Sequence, residues 1–458
     1  MRIVPEIRIT LYDISKALCL PQKKESAKPI NAITTDSREV ISGDLFVALR
    51  GDLFNGEDFI GEARERGAYI LSESGMAVDF KVEDTYRALL SIASYYKSKL
   101  TNLKKTIAIT GSVGKTTTKN ILAGMLSNFY KVHKTYENYN NFLGLAHTIL
   151  TTPGDSEILI AELGMNHPGE ISLLSLTLKP DISVITNVGT AHIGILGNRE
   201  AIAKAKLEIA DGMTEKIIII PKDEPLLMSA SGKYTFSLTS LEADCHINLK
   251  EESAEYSTFD VHTQSFDITS CKISTPGRHI LSAVSACIGV LDLLGARKDE
   301  VLIALGSFDN SCVRGRFLNV CGFTFYDDSY SSSPEAVISN LKLLSLYKPK
   351  RLACVLGDML ELGERSEALH REIGRCVFEY GFDKLFTFGA NSRFTAEGAM
   401  SAGMRKDKIF VNSDINNPEL TAIQIARNCF EDEIILCKAS HSVRIDRIYE
   451  YIKSAMKG

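Results

Sequence analysis

Hydrophobic and polar positions in the middle of the chain repeat a strand, turn and helix pattern. The apolar run TIAIT (106–110) precedes the glycine turn GSVGK (111–115) and the segment TTTKNILAGMLSNFY (116–130), in which apolar residues recur at helical spacing. Further strand-like runs, separated by helix-like segments, are EILIAEL (157–163), DISVITNV (181–188) and KIIIIP (216–221). Because β and α elements alternate, the pattern predicts a doubly wound, mostly parallel sheet.

The flanking regions have other patterns. Residues 1–104 mix short apolar segments with a helix predicted over Thr85–Leu100. Between about 233 and 276, short alternating segments indicate antiparallel strands appended to the central sheet, and a helix is predicted over 281–294. From Cys312 onward, the strand-like runs are CGFTFYDD, RLACVLGD, KLFTFGA and EIILCKAS, with helices predicted at 334–346 and 366–380. This last region is therefore a second α/β unit.

Length and pattern together predict an α/β protein of three domains. At roughly 150 residues per domain, 458 residues correspond to about three. We predict an N-terminal α/β domain at 1–104 and a central domain at 105–311 with a doubly wound sheet and appended antiparallel strands. A C-terminal Rossmann-like α/β domain is predicted at 312–458.

Composition and charge exclude several classes of protein. The 52 Lys and Arg against 57 Asp and Glu give a net charge of −5, so no general attraction to nucleic acid or anionic lipid is expected. The ten cysteines form no CxxC pair, the start of the chain has no secretory pattern, and no apolar run reaches the ~20 residues of a membrane span. We therefore expect a cytoplasmic protein that binds neither membranes nor nucleic acids. No interface signal is visible, so a monomer is expected.

The string TGSVGKTTT (110–118) is typical of a phosphate-binding loop because it follows a strand and opens a helix. Lys115 would reach the terminal phosphates and the Thr116 hydroxyl would ligate Mg²⁺. The general pattern GxxxxGK[ST] requires glycine at 109, where this chain has Ile109, so the loop is a shorter variant. The alternative is a glycine turn with a solvated lysine. No NKxD string accompanies the loop, which favours ATP over a guanine nucleotide.

Two further side chains are candidates for a metal site. Glu162 ends one predicted strand and His192 lies just past another, and the carboxyl ends of doubly wound strands line the ligand crevice. Mg²⁺ prefers oxygen ligands and needs only one or two protein groups besides phosphate and water. Lys206 lies in the helical segment EAIAKAKLEIA, where the residues alone indicate a surface lysine like Lys204.

Together these strings resemble the Mur ligases, which are ATP-dependent amide-forming enzymes of bacterial cell-wall synthesis. The resemblance covers nearly the whole chain. The strings that carry it are TTDSREVISGDLFVALRGDLFNGEDFIGEARERGA (34–68), TGSVGKTTT, ENYNNFLG (137–144), AELGMNHPGEI (161–171), NVGTAHIGILGNREAIAKAKLEI (187–209), GRF (315–317), DDSYSSSPEAVISNL (327–341), LGDMLELGERSEALH (356–370) and KASHSVRIDRI (438–448). They favour the member that adds D-alanyl-D-alanine to UDP-N-acetylmuramoyl tripeptide. The resemblance implies that domains 1–104, 105–311 and 312–458 bind the UDP-sugar, ATP with metal, and the acceptor.

The resemblance also implies roles for individual residues. Those implied as catalytic are Lys115, His192, Lys206 and Arg316. Those implied to bind ATP are Gly111, Ser112, Val113, Gly114, Lys115, Thr116, Thr117, Arg316 and Asp328. Those implied to bind the other substrates are Ser37, Arg38, Asn138, Asn141 and Lys438. The implied Mg²⁺ shell is Thr116, Glu162, His192 and Lys206, with Lys206 carbamylated.

Three strings depart from the family pattern. This chain has YSSSP (330–334) where the family commonly has YNANP, GRHILSA (277–283) where it has GRHNVLNA, and His441 where KASR is expected. Each lost asparagine removes an amide donor and acceptor that a serine replaces only in part, which leaves the nucleotide affinity open. Two other hypotheses therefore stand: a Mur-type ligase for a different acceptor amine, and a nucleotide- or muropeptide-binding protein without turnover.

Overall fold

The computed structural model describes residues 1–21, 27–51, 54–75, 78–307 and 314–455. Contacts divide the chain into two compact units. Unit 1 comprises Met1–Thr110, Leu126–Val184 and Leu207–Ile218, and unit 2 comprises Gly111–Met125, Ile185–Lys206 and Ile219–Gly458. Among the described residues, no helix has the length and apolar character needed to cross a membrane.

The strands and helices alternate along most of the chain. The strands are β1 (Arg2–Ile3), β2 (Ile33–Thr34), β3 (Leu45–Val47), β4 (Tyr69–Ser72), β5 (Phe80–Lys81), β6 (Lys105–Thr110), β7 (Val132–Lys134), β8 (Ile158–Glu162), β9 (Ile182–Ile185), β10 (Ile218–Pro221), β11 (Lys233–Ser237), β12 (Cys245–Glu252), β13 (Ser257–His262), β14 (Asp267–Ile273), β15 (Arg316–Val320), β16 (Phe323–Asp327), β17 (Leu352–Gly357), β18 (Lys384–Phe388), β19 (Ile409–Asn412) and β20 (Ile434–Lys438). The helices are α1 (Leu11–Ala17), α2 (Ile60–Glu65), α3 (Thr85–Lys97), α4 (Lys115–Leu126), α5 (Phe142–Leu150), α6 (Glu170–Leu178), α7 (Ile193–Leu196), α8 (Arg199–Leu207), α9 (Arg278–Leu293), α10 (Lys298–Gly306), α11 (Pro334–Ser345), α12 (Ser366–Glu379), α13 (Ser392–Ala402), α14 (Pro418–Asn428) and α15 (Arg447–Ala455).

Unit 1 holds a small sheet and part of a larger one. The small sheet has the order β1-β2-β3-β4-β5, in which β1 is antiparallel to β2 and the other neighbours are parallel. The larger, nine-stranded sheet has strands in both units, and those of unit 1 follow the order β9-β6-β8-β7. Strand β8 pairs in parallel with both β6 and β7, and all five of its residues are buried. The predicted parallel central sheet is confirmed.

Unit 2 holds the remaining strands of that sheet, in the order β10-β11-β12-β13-β14. Strands β12, β13 and β14 pair antiparallel, as the alternating pattern predicts. The pairing of β11 with β12 is parallel, which corrects the expectation that all these segments are antiparallel. Alternation fixes which side chains face the core, but it carries no information on strand direction.

A third sheet, of six strands, lies in unit 2 with the order β15-β16-β20-β17-β18-β19. Strands β16 to β20 pair in parallel, and β15 is antiparallel to β16. The central strand β17, LACVLG, is buried at every position, as a parallel strand covered on both faces must be. Helix α11 starts at a Ser333 cap followed by Pro334, which fixes its first turn. The predicted domain border at 311/312 falls outside the described residues.

Candidate active site

The glycine loop connects β6 to α4, and its geometry is compatible with phosphate binding. Gly111 has φ +153°, and a side chain there would collide with Thr186. Lys115, the first residue of α4, folds its ammonium back to donate to the carbonyl oxygens of Gly111 at 2.7 Å and Ser112 at 3.4 Å. Loop carbonyls thus hold a cation beside the helix N-terminus, where the helix dipole favours anions.

Asn187 anchors this loop, and no motif singled it out. Its amide oxygen accepts from the backbone N–H groups of Ser112 at 3.1 Å and Val113 at 3.0 Å. Its amide nitrogen donates to the Val113 carbonyl, and the Thr186 hydroxyl donates to the same oxygen at 2.6 Å. A phosphate bound by those two N–H groups would therefore have to displace the Asn187 amide oxygen. Asn187 lies two residues beyond β9 and begins the string NVGTAHIG, which is the sequence signal for its position.

Thr116 is contacted by an arginine that the motifs did not single out. The Arg314 guanidinium donates to the Thr116 hydroxyl oxygen at 2.6 Å, and its central carbon lies 4.5 Å from the centre of the Tyr330 ring. The predicted arginine, Arg316, lies on β15 with 69% of its side chain exposed and its Nε 3.7 Å from the Asp327 carboxylate. Of these two arginines, the one that contacts the phosphate loop within unit 2 is thus Arg314.

His192 lies in a short segment held by glycines. It adopts the left-handed conformation with φ +63°, and its Nδ1 lies 2.6 Å from a Glu361 carboxylate oxygen. The Gly194 N–H donates to the Glu361 carbonyl at 2.9 Å. A Cβ on Gly194 would lie 2.5 Å from the Gly363 nitrogen, so only glycine permits this backbone approach. Burial lowers the pKa of His192, and the charges of Lys115 and Lys206 lower it further, against the opposing effect of Glu361.

Lys206 is buried, with 2% of its surface exposed. The expectation of a surface lysine drawn from the residues alone is therefore wrong, and Lys204 is the exposed one of the pair. Burial, together with the positive charge of Lys115, lowers the pKa of Lys206 well below its usual value. Helix α8 turns Lys206 inward because it follows the buried Ile202 by four residues, on the same helical face.

Glu162 and the asparagine string lie in unit 1. Glu162 ends β8, is 1% exposed, and accepts a hydrogen bond from the Asn140 amide at 2.9 Å. Asn140 is thus the member of ENYNNFLG that contacts the predicted metal ligand, whereas the resemblance implies roles for Asn138 and Asn141. Asn141 caps α5 by accepting from the Gly144 N–H at 2.9 Å, and the Asn138 carbonyl accepts from the Asn140 N–H.

The other predicted substrate residues have partners within their own units. In unit 1, Ser37 donates to Glu62 at 2.7 Å, and the exposed Arg38 forms an ion pair with Asp36 at 2.7 Å that lowers the Asp36 pKa to about 2. In unit 2, the buried Lys438 donates to Asp328, whose carboxylate the sequence assigned to ATP.

Comparison with known proteins identifies the family. Family models match in chain order: the Mur ligase family catalytic domain at residues 29–89, the Mur ligase middle domain at 109–291 and the Mur ligase glutamate ligase domain at 314–441. The UDP-N-acetylmuramoyl-tripeptide–D-alanyl-D-alanine ligase of Bacillus subtilis (strain 168) is 33% identical over 451 residues, covering 95% of this chain and 95% of that relative. The chain belongs to the Mur ligase family. The same-named ligase of Synechocystis is 34% identical over 454 residues, covering 96% of this Mur ligase and 97% of the relative.

Solved structures agree with this assignment. A crystal structure of MurF from Acinetobacter baumannii superposes with a TM-score of 0.86 at 26% identity, covering 98% of this Mur ligase and 100% of that chain. A MurF ligase from Thermotoga maritima in complex with ADP has a TM-score of 0.80 at 31% identity, covering 93% of this Mur ligase and 97% of that chain. The predicted family and the three-domain α/β fold class are confirmed. The roles of individual residues and the exact domain borders stay predictions.

Proposed function

We propose that this Mur ligase uses ATP to join D-alanyl-D-alanine to UDP-N-acetylmuramoyl tripeptide in peptidoglycan precursor synthesis. The relatives that share a third of its sequence over almost their whole length carry that activity in their names. The structural observation that carries the proposal is the glycine loop with Lys115, next to Thr116 and Arg314. An ADP complex of a 31% identical relative supports ATP as the nucleotide.

The reaction requires two anions to meet, since a carboxylate oxygen of the tripeptide must attack the terminal phosphorus of ATP. Lys115 and the N-terminus of α4 supply positive charge for the phosphates, and Arg314 supplies a second cation in the same unit. ADP leaves, and the amine of the dipeptide attacks the acyl phosphate carbon to form a tetrahedral intermediate. Its collapse releases phosphate and leaves the amide bond. In this scheme the chain positions the reactants and neutralises their charges.

We also propose that the enzyme uses Mg²⁺, and the residues present fit that ion. Hard oxygen ligands are those that Mg²⁺ prefers, and each unit offers one on a buried side chain: the Thr116 hydroxyl in unit 2 and the Glu162 carboxylate in unit 1. When bound, the ion would neutralise phosphate charge. Asn140 would orient the Glu162 carboxylate through its hydrogen bond. His192 and Lys206 complete the proposed shell.

Lys206 is proposed to be carbamylated. Its ammonium is buried, and in the described part of the chain it has no hydrogen bond or ion pair. Burying a charge without a partner is costly, so the neutral amine is favoured, and a neutral amine is the form that adds CO₂. The carbamate would convert the neutral amine into an anion whose charge the Lys115 cation favours.

The decisive experiment measures ADP release. Release should require UDP-N-acetylmuramoyl tripeptide and D-alanyl-D-alanine together and should disappear in Lys115→Ala. If other amino acids or dipeptides replace D-alanyl-D-alanine equally well, the enzyme is a Mur ligase for a different acceptor. If neither substrate stimulates release although both bind, the chain is a binding protein.

We further propose that the enzyme acts as a monomer in the cytoplasm, where ATP and UDP-linked precursors are available, with domains at 1–104, 105–311 and 312–458. Light scattering during size-exclusion chromatography tests the monomer, because a dimer would double the 50.4 kDa mass of one chain. Limited proteolysis tests the two domain borders.

A further inference from the structure

Arg314 lies at the glycine loop in a defined geometry. One guanidinium nitrogen, Nη2, is 2.6 Å from the Thr116 hydroxyl oxygen. The central carbon of the guanidinium lies over the Tyr330 ring, 4.5 Å from the ring centre, and the centre of the His441 ring lies 5.2 Å from that of Tyr330. A cation over an aromatic face is attracted to the ring without using its N–H donors. The Tyr330 ring therefore helps to hold the Arg314 guanidinium at the loop.

Most of the hydrogen-bonding capacity of Arg314 is unused. A guanidinium has five N–H donors, and Arg314 commits one of its nitrogens to Thr116. In the part of the chain that the structure describes, no carboxylate lies within ion-pair distance of it. Its charge is thus compensated by neither an acid nor a second hydrogen bond among the described residues. Because the side chain is half-buried, part of the guanidinium remains open to a ligand. Such an arginine is suited to an oxyanion with several acceptor oxygens.

Arg316 has a different environment. It lies directly opposite Asp327 in the β15–β16 pair, and its Nε is 3.7 Å from that carboxylate. Its side chain is 69% exposed. The Asp327 carboxylate already compensates the charge of Arg316 in the same sheet. Among the described residues, Arg316 has no hydrogen bond or ion pair with the glycine loop. Of the two arginines in the string VRGRF, the loop contact selects Arg314.

We propose that Arg314 is a further catalytic residue that binds the terminal phosphate of ATP and that Tyr330 positions it. The inference rests on the proposed function, since it requires ATP at the glycine loop. During the step, the bond between the terminal phosphorus and the ADP oxygen breaks, and a bond from that phosphorus to the substrate carboxylate oxygen forms. Arg314 neither gains nor loses a proton. It neutralises charge on the transferring phosphoryl group, as arginines supplied within one chain do in other phosphoryl-transfer enzymes.

The test compares Arg314→Ala, Arg314→Lys and Arg405→Ala. Arg405 is an exposed arginine paired with Asp407, so its removal controls for the loss of one positive charge. Calorimetry with Mg²⁺ measures the affinity of a non-hydrolysable ATP analogue and of ADP, and steady-state assays measure kcat. For Arg314→Ala we expect the analogue affinity to fall at least tenfold, the ADP affinity to change less than twofold, and kcat to fall about 10²–10³-fold. Arg314→Lys should retain part of the affinity, and Arg405→Ala should match the wild type.

Tyr330 gives an independent test of the positioning. Tyr330→Phe keeps the ring and should keep kcat within about twofold, whereas Tyr330→Leu removes the aromatic face and should lower kcat about tenfold with ADP affinity unchanged. Circular dichroism and melting curves establish whether each variant is folded. If Arg314→Ala does not fold, Arg314→Lys takes its place in the test.

Several outcomes overturn the proposal. If Arg314→Ala keeps wild-type kcat and analogue affinity while Arg316→Ala loses both, Arg316 is the phosphate ligand. If Arg314→Ala weakens ADP and the analogue equally, Arg314 supports the loop and does not contact the terminal phosphate. If the wild type binds neither nucleotide, the proposed function itself fails, which is a distinct result.

Discussion

The family resemblance implies that Lys438 binds substrate, whereas its contacts indicate that it stabilises a loop. The side chain is 1% exposed, and its ammonium donates to the Asp328 carboxylate at 2.5 Å, the Asp328 carbonyl at 3.1 Å and the Ser331 carbonyl at 2.8 Å. An ammonium has three hydrogens, so these bonds use all of them. Lys438 therefore fixes the segment that carries Tyr330.

Replacing Lys438 with Met keeps the side-chain length and removes the charge. Among the described residues, the Asp328 carboxylate, 16% exposed, then keeps the Asn340 amide at 2.6 Å as its one side-chain donor, and two carbonyls lose a donor. Breaking a buried ion pair by removing one partner costs about 3–5 kcal/mol. At about 2–4 °C per kcal/mol for domains of this size, the melting midpoint of the unit should fall by about 6–20 °C.

The assay follows melting by scanning calorimetry and measures kcat and the KM for each substrate at 20 °C. Lys384→Met is the matched control because Lys384 is also a buried lysine with one acidic partner, Glu433, and contacts no predicted site residue among those described. Both variants should melt early, but only Lys438→Met should lower kcat, through the loop of Tyr330. A Lys438→Met enzyme that melts within 2 °C of the wild type and has a raised KM for one substrate would refute this stabilising role and support direct substrate contact.

Three further predictions concern other parts of the molecule. Burial lowers the pKa of His279 to about 4, whereas the imidazole of the unfolded chain titrates near 6.5. The neutral His279 therefore favours the folded state fully above about pH 6.5, and the free energy of unfolding should decrease by about 2 kcal/mol between pH 7.5 and 5.0. His279→Gln should remove this pH dependence from the free energy measured by urea unfolding. Gly194→Ala places a Cβ 2.5 Å from the Gly363 nitrogen and should cost about 1–3 kcal/mol in unfolding free energy, whereas an unchanged melting midpoint would contradict the contact. Lys206→Ala should lose most ligase activity, and a small carboxylic acid should restore part of it; full activity without the acid would show that Lys206 is structural.

The regular elements of the fold could be predicted because their signals are local. The buried run ILIAE and the spacing of apolar residues after GSVGK are read within ten residues of chain. Strand direction could not be predicted in the same way, as the parallel pairing of β11 with β12 shows. It depends on how the chain crosses the sheet, which no short segment records.

The sequence motifs predicted which segments carry the candidate site, but they did not predict the contacts between individual side chains. The position of Lys115 followed from strand, glycine turn and helix. Asn187 and Arg314 were missed because an amide beyond a strand and an arginine beside another arginine have no distinguishing pattern. The burial of Lys206 was missed because its neighbour Lys204 is chemically identical, and only the packing of α8 separates the two.

The distribution of ion pairs explains how a chain of net charge −5 can hold an anion. Several exposed arginines are neutralised by an aspartate two residues away, as in Arg38 with Asp36, Arg405 with Asp407 and Arg444 with Asp446. Such local pairs cancel the long-range field of these cations, and salt screens what remains. Among the described residues, Arg314 has no acidic partner, and it lies in unit 2 with the glycine loop. We therefore attribute the attraction for a polyphosphate to Arg314 and Lys115 at the loop, and the overall charge of the protein has little part in it.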